Sequence, residues 1–471
     1  MGRYRLFRNT RHIHLVAIGG VGMSGIAEVL LNLGFTVSGS DLHRTAVTDR
    51  LEKLGARIDV GHAPENVRGA DVVVRSSAVT GANCEVAAAR AARLPVIRRA
   101  EMLAELMRLK HGIAVAGSHG KTTTTTLVAA VLAAGGLDPT VIVGGKIRAV
   151  GSGAVLGAGP HLVAEADESD GSFLHLTPTV AVVTNIDLEH VDHYPDLEAL
   201  CATFHEFLQR VPFYGTCVLC VDDPRIRALL PQLQRKTVTY GLSAEAEVRA
   251  DPGTIVEDAD GQEAVVWAFG RELGPLRLKL RGRHNLQNAL AAVAVGLELE
   301  IPFTRIAAGL EGSQGVGRRC EEYGEHGGVL VIDDYGHHPT EIGAVMAVAR
   351  NFGRPVSVLF QPHRYSRTER FAREFADALA GADAVGLLPV YAAGEEPRRG
   401  GDSAAIAGHL KKKGCTVDLL KGHDGIAAWL DRRAAAGSLV LTLGAGDIGR
   451  QVEGVCRHLD GRLSQRNEGR S

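Results

Sequence analysis

The sequence predicts an α/β protein of three domains: a Rossmann-like N-terminal domain, a central P-loop domain with a parallel sheet, and a C-terminal Rossmann-like domain. Three observations carry this. The chain has 471 residues, room for about three domains with cores of their own. Apolar runs rich in Val, Ile and Leu alternate with helical stretches from end to end, the pattern of parallel sheets buried on both faces. Glycine-rich or polar clusters follow these runs, where open parallel sheets hold their ligands. The segments read as 1–110, 111–316 and 317–471.

Composition narrows the function classes. Hydrophobic residues make up 45% and charged residues 23%, and 52 Lys+Arg against 54 Asp+Glu leave a net charge of −2. That is an ordinary globular balance, with no excess of charge to suit a nucleic acid or an acidic membrane surface. No run approaches the roughly 20 apolar residues of a membrane span. Met1–Thr10 has charge without the apolar stretch of a signal peptide. Seven scattered cysteines fit reduced thiols in a cytoplasm. Cys217 and Cys220 form a lone C-x-x-C inside an apolar run, which reads as buried strand cysteines and not zinc.

In the first segment HLVAIGG reads as a buried strand. Gly20, Gly22 and Gly25 then fit G-x-G-x-x-G before a helix over Met23–Leu33, and TVSGSD is the next strand, ending at Asp41. This resembles a dinucleotide fingerprint. A nucleoside diphosphate demands the same close backbone approach, however, and no second half follows before the next glycine loop. A small mononucleotide-type domain is therefore favoured. Alternation continues through DVVVRSSA, which contains Ser76 and Ser77, then PVIRR and a helix over Ala100–Lys110.

The central segment opens on IAVAGSHGKTTTTT: strand, glycine loop, helix start. Gly117, Ser118, His119 and Gly120 can turn backbone N–H groups toward phosphate oxygens, and the helix N-terminus adds its dipole. Lys121 can reach terminal phosphates, and the Thr122 hydroxyl can ligate Mg²⁺. The loop is two residues shorter than the usual G-x-x-x-x-G-K-[ST]. HLVAEADESD ends a strand on Glu165, Asp167, Glu168 and Asp170, and VAVVTNIDLEHVDHY places Asn185, Asp187, Glu189, His190, Asp192 and His193 past another. Two acidic clusters after strands of one domain favour a metal site over solvated turns. Short runs between Cys217 and Leu280 predict a small antiparallel or mixed extension. Asn285 and Asn288, beside His284 at a helix start, either cap that helix or read an adenine edge.

In the third segment, strands GVLVIDD, PVSVLFQP, AVGLLPV, TVDLL and SLVLTLGAG alternate with helices. Polar residues again follow them, from Asp334 and Tyr335 to His337 and His338, then His363, Arg364 and Arg367. Either histidine of the pair can simply cap the next helix. Two arginines three residues apart beside a histidine look like an anion clamp. The polar tail Leu463–Ser471 is the one candidate for disorder.

Taken in order, HIHLVAIGGVGMSGIAEVL, SGSDL, GSHGKTTTT, LVAEADESDGSF, TNID, the HN-x-x-N helix start, GVGRR, DDYGHHPTE, QPHRYSRT and GAGDI resemble the bacterial Mur ligases over nearly the whole chain. Within that family the resemblance is strongest to members that join L-alanine to the carboxylate of UDP-N-acetylmuramate. It implies an N-terminal domain for the UDP-sugar, a central ATPase and a C-terminal domain for the amino acid. Gly117–Thr122 with Lys121 would hold the ATP phosphates, and Thr122, Glu165 and His190 would ligate Mg²⁺. His284, Asn285 and Asn288 would face adenine, with Arg319 at the nucleotide and Asp334 at the ribose. Gly20, Gly22, Gly25, Ser76 and Ser77 would hold the UDP-sugar. Tyr335, His337, His363, Arg364 and Arg367 would gather the product end, the arginines pairing with the alanine carboxylate.

The chain departs from the family pattern where phenylalanine commonly flanks GVGRR, having Ser313 and Cys320. It also has no lysine between Val191 and Phe213 for the carbamylation used by related ligases. The D-H-[ML]-D block reads Glu189-His190-Val191-Asp192.

The implied chemistry is phosphoryl transfer to a carboxylate, then attack of an amine on the acyl phosphate, a cytoplasmic step of peptidoglycan precursor synthesis. Lys121, Glu165, His190, Arg364 and Arg367 are its expected catalytic residues, and no general base is assigned. ADESDGSF, lacking a tyrosine, argues against the sibling that attaches a recycled tripeptide. Intact Lys121, Glu165 and His190 argue against a non-catalytic nucleotide-sugar-binding regulator. An NAD dehydrogenase would leave the phosphate loop unexplained. Partners are expected to be small molecules only, with no nucleic acid or membrane, and self-association as a homodimer stays open.

Overall fold

The computed structural model describes residues 7, 10–76, 78–147, 152–189, 193–258, 260–313 and 315–468, with the side chains of 21, 145–147, 152–153 and 463–468 also left aside. His190 and Ser77 therefore lie outside the described residues. The chain divides into two compact units, Met1–Val316 and Gly317–Ser471.

The first unit begins with a five-stranded sheet of β1 (His12–Val16), β2 (Thr36–Asp41), β3 (Arg57–Val60), β4 (Val72–Arg75) and β5 (Val96–Arg98). The strands are parallel in the order β3-β2-β1-β4-β5. Ile13, Leu15, Val73 and Val74 are fully buried, as expected of a sheet covered on both faces. The order reverses between β1 and β4, which opens a crevice at their carboxyl ends. The helix Val21–Asn32 starts there, directly after Gly20, two residues before the expected Met23.

The second sheet of this unit comprises β6 (His111–Ala116), β7 (Thr140–Ile147), β8 (Ser152–Val155), β9 (His161–Glu165), β10 (Val180–Val183), β11 (Thr216–Cys220), β12 (Lys236–Gly241), β13 (Val248–Ala250), β14 (Val256–Asp258), β15 (Gly261–Ala268) and β16 (Arg271–Leu278). From β13 to β7 the order is β13-β12-β11-β10-β6-β9-β7, all parallel. Antiparallel β14, β15 and β16 extend one edge, so the expected extension is a mixed continuation of the same sheet. Because β6 lies between β10 and β9, the phosphate loop is flanked by the turns that follow both neighbours. Cys217 and Cys220 are buried in β11, and burial pushes both thiols up to about 12.

The second unit holds β17 (Glu321–His326), β18 (Val329–Asp334), β19 (Val356–Phe360), β20 (Ala384–Leu387), β21 (Val417–Leu419) and β22 (Leu439–Leu443), ordered β17-β18-β22-β19-β20-β21. Only β17 is antiparallel among the described strands. Adjacent β18, β22 and β19 bring their following turns to one end of the sheet. The terminal helix runs from Val452 to Glu468. The expectation of a disordered tail from Leu463 is corrected over that stretch, where helix-favouring Leu, Gln, Arg and Glu extend the last turns.

Candidate active site

The phosphate loop is braced by the turn after β10. Asn185 Oδ1 accepts from His119 N at 2.8 Å, Thr184 Oγ1 donates to His119 O at 2.6 Å, and Ser118 Oγ donates to Asp187 O at 2.9 Å. Gly117 and Gly120 have φ of 131° and 82°. A Cβ on Gly117 would run into Thr184 Oγ1, and one on Gly120 would lie 2.7 Å from Asn288 Oδ1. The loop is thus a backbone cradle with Asn288 against it. The helix Lys121–Ala134 begins at once, with four of its five threonines, Thr123–Thr126, buried.

Lys121 folds back across this cradle. Its Nζ donates to Gly117 O at 2.6 Å and Ser118 O at 3.1 Å, and pairs with Glu168 at 2.9 Å. Burial alone would lower its pKa, but Glu168 and Glu189 hold the ammonium above its ordinary value. Glu168 is fully buried, and its backbone carbonyl accepts from Tyr194 Oη. Glu165 ends β9 with its carboxylate against the β7 backbone at Gly144. Thr122 follows Lys121 in the first helical turn. Asp167 reaches Arg99 at 3.0 Å; burial raises its pKa, but Lys121 and Arg99 more than offset this and hold it below the ordinary value. Carboxylates gathered beside a phosphate cradle would repel a polyphosphate, and hard oxygen donors such as Glu165 and Thr122 fit a divalent cation that screens it.

At the crevice of the first sheet, Gly19 N donates to Asp41 Oδ2 at 2.9 Å. The acid at the end of β2 therefore ties down the glycine turn. A Cβ on Gly22 would lie 2.9 Å from the Arg99 guanidinium. Ser76 follows β4, its Oγ accepting from Ala78 N, and Gly25 lies inside the helix Val21–Asn32. A cavity of about 320 Å³ is lined by Arg75, Arg98, Arg99, Asp170, Ser172 and His193, joining residues of the first two sheets. At the start of the helix Arg283–Glu298, Asn285 and Asn288 are buried and His284 half-buried. Asn285 Nδ2 donates to Arg281 O at 2.8 Å.

In the second unit, the turn after β18 is organised by Asp334, whose two oxygens accept from Cys320 N at 2.7 Å and Gly336 N at 2.6 Å. Burial pushes this carboxyl up to about 6, against the pull of Arg319. Arg318 and Arg319 lie 5.1 and 5.3 Å from the Tyr335 ring centre. His338 caps the helix Pro339–Asn351 in a capping box with Glu341, whereas His337 faces Tyr335 and His363 at 5.4 and 5.9 Å between rings. His363 stacks on Tyr391. Burial, with the charges at His337, Arg367 and Arg364, pushes His363 down to about 4. Arg367 lies in the first turn of the helix Tyr365–Leu379, while Arg364 precedes that helix at φ 71°. The two arginines are thus not on one helical face, as their spacing suggests. They reach the same neighbourhood from a strained turn and from the helix, and both act on His363.

Three family models match in order: the Mur ligase family, catalytic domain, over residues 12–111; the Mur ligase middle domain over 115–296; and the Mur ligase, glutamate ligase domain, over 318–446. The chain belongs to the Mur ligase family. A UDP-N-acetylmuramate–L-alanine ligase of Desulfosudis oleivorans is 51% identical over 96% of this Mur ligase and 99% of its own length. A UDP-N-acetylmuramate-alanine ligase of Thermotoga maritima superposes with a TM-score of 0.78 at 29% identity, covering 98% of this chain and 100% of the other. A murein peptide ligase of Psychrobacter arcticus shares the fold at 24% identity with a TM-score of 0.70, over 96% and 99% of the two chains.

Within this Mur ligase the structure brings together Gly117–Thr122, Lys121 and Asn288 in the first unit. In the second it gathers Tyr335, His337, His363, Arg364 and Arg367. Sequence reasoning missed Glu168 as the partner of Lys121, although it stands in the acidic block. It also missed the guanidinium set of Arg75, Arg98 and Arg99, whose signal was the arginine pair ending PVIRR.

Proposed function

We propose that this Mur ligase joins L-alanine to the carboxylate of UDP-N-acetylmuramate with cleavage of ATP to ADP and phosphate. The observation that carries the reading is near-full-length identity of about half to an L-alanine ligase, on a chain with the phosphate cradle. The muramyl carboxylate attacks the γ-phosphorus, ADP leaves, the alanine amine attacks the acyl carbon, and phosphate departs. Lys121 would exchange Glu168 and the loop carbonyls for phosphate oxygens, placing its charge where negative charge develops. Gly117–Gly120 would turn their backbone to the phosphates. Asn285, Asn288 and His284 would face the adenine, with Arg319 and Asp334 toward the nucleotide. A divalent cation of the Mg²⁺ type at Thr122, Glu165 and His190 would neutralise the transferring phosphoryl group.

The glycine turn Gly20–Gly25, Ser76 and Ser77, with Arg75, Arg98 and Arg99 in the adjoining cavity, would hold the UDP-sugar. Arg364 and Arg367 would pair with the alanine carboxylate, and the same cationic surroundings favour the neutral amine that attacks. On this reading the enzyme serves peptidoglycan precursor synthesis in the cytoplasm. The decisive experiment is ADP release with UDP-N-acetylmuramate against L-alanine, glycine, L-serine and the recycled tripeptide. L-Alanine is expected to give the highest kcat/KM. Preference for the tripeptide would instead make the chain the sibling ligase, and no release with any acceptor would sink the catalytic reading.

A further inference from the structure

A second cavity of about 370 Å³ opens at the carboxyl end of the first sheet, lined by Asp41, Leu42, His62, Val79, Thr80 and Asn83 among others. Behind it sits a carboxylate with no outlet to solvent. Glu85 occupies the first turn of the helix Cys84–Ala91 and is fully buried. Its Oε1 accepts from Asn66 Nδ2 and from Ala63 N. Its Oε2 accepts from Ser40 Oγ at 2.6 Å, with His14 Nε2 at 3.6 Å and His62 Nδ1 at 3.4 Å. Burial pushes this carboxyl up, but His14 beside it and the hydrogen bonds from Ser40 and Asn66 outweigh it and hold it at about 2.

The hydrogen bonds fix one proton after another. Ser40 has a single hydroxyl proton, which goes to Glu85. Its oxygen can then only accept from His62 Nδ1, 3.0 Å away. His62 therefore carries a proton on Nδ1, and a neutral ring protonated there presents a lone pair at Nε2. We infer that Glu85 is a positioning residue that, through Ser40, holds His62 in this tautomer so that Nε2 accepts a hydrogen bond from an N–H donor of a nucleobase bound in the cavity. Uracil offers such a donor at N3, where cytosine presents a lone pair instead. The inference rests on the reading of the first domain as the nucleotide-sugar domain, and it names the groups that would read the base.

The test uses UDP and CDP as probes on the whole chain, with ¹⁵N-labelled histidine observed by NMR and the His62 signals assigned by their loss in His62→Gln. The free wild-type protein is expected to show the Nδ1–H tautomer at His62, and UDP is expected to shift the Nε2 resonance. UDP is expected to bind about tenfold more tightly than CDP, the worth of one buried hydrogen bond. In Glu85→Gln that discrimination is expected to shrink severalfold while ATP affinity is unchanged. An Nε2–H tautomer in the wild type would overturn the inference without any variant having to fold. So would UDP binding that leaves His62 unshifted, or a folded Glu85→Gln with full discrimination. Failure of the wild type to bind UDP at all would overturn the reading of the first domain, and this inference with it.

Discussion

Lys121 stabilises the resting protein as well as holding the charge the reaction needs, and the two roles can be separated. Its partner Glu168 is fully buried, whereas the lysine side chain is 19% exposed. Lys121→Ala removes the cation paired with a buried carboxylate, at a cost of about 2 kcal/mol after allowing for the partial screening of the lysine. Turnover is expected to fall about 10²–10³-fold, with UDP-sugar affinity unchanged. Adding Glu168→Gln should recover most of the melting midpoint but none of the turnover. If the double variant regains activity, Lys121 acts only through the fold. Glu85 gives a second prediction, in pH. Its carboxyl lies at about 2 in the folded protein against an ordinary 4.5, so the unfolded chain binds the extra proton between those values. Its stabilising contribution is complete above pH 4.5 and is lost as pH falls through about 2. The stability gap between wild type and Glu85→Gln, measured by urea unfolding, should be constant above pH 4.5 and narrow below it.

Elements were the legible part of this chain, because β-branched runs and glycine turns act locally. TVSGSD becomes β2 over Thr36–Asp41, and GSHG becomes the turn between β6 and its helix, which Lys121 opens. What the elements do with their side chains was less legible. Asp41, the acid of the fingerprint, ties down Gly19 N, and Glu85, in the first turn of its helix, is fully buried. Backbone strain was also hidden. Arg364 stands at φ 71° and ψ 135°, a region costing a non-glycine residue roughly 1–3 kcal/mol. Tyr391 O and the helix amide of Thr368 hold it there. Arg364→Gly should therefore raise stability by about 1 kcal/mol, once the greater freedom of glycine in the unfolded chain is subtracted. On the proposed reading it should also raise the KM for L-alanine. A lower melting midpoint in this variant would show that the turn is unstrained.

At the scale of the molecule, the groups proposed for activating the carboxylate belong to one compact unit and those proposed for the amino acid to the other. Lys121, Glu165 and the glycine turn lie in Met1–Val316, and Arg364 and Arg367 in Gly317–Ser471. Sequence order places each cluster after strands of its own segment. It did not foretell pairings such as Lys121 with Glu168, which depend on strand order within a sheet. The division makes the two half-reactions separable by experiment. Hydroxylamine can replace the amine, attacking the acyl phosphate to give a hydroxamate and phosphate without needing a carboxylate contact. Lysine keeps the charge of arginine but loses the planar fork that pairs with a carboxylate. Arg367→Lys is therefore expected to raise the KM for L-alanine about tenfold or more, with the ATP-dependent rate of hydroxamate formation from UDP-N-acetylmuramate unchanged. Alaninamide, lacking the carboxylate charge, should be a poor acceptor for the wild type and lose that disadvantage in the variant. If hydroxamate formation falls in step with alanine ligation, Arg367 serves the phosphoryl transfer itself, and the alanine carboxylate is read elsewhere.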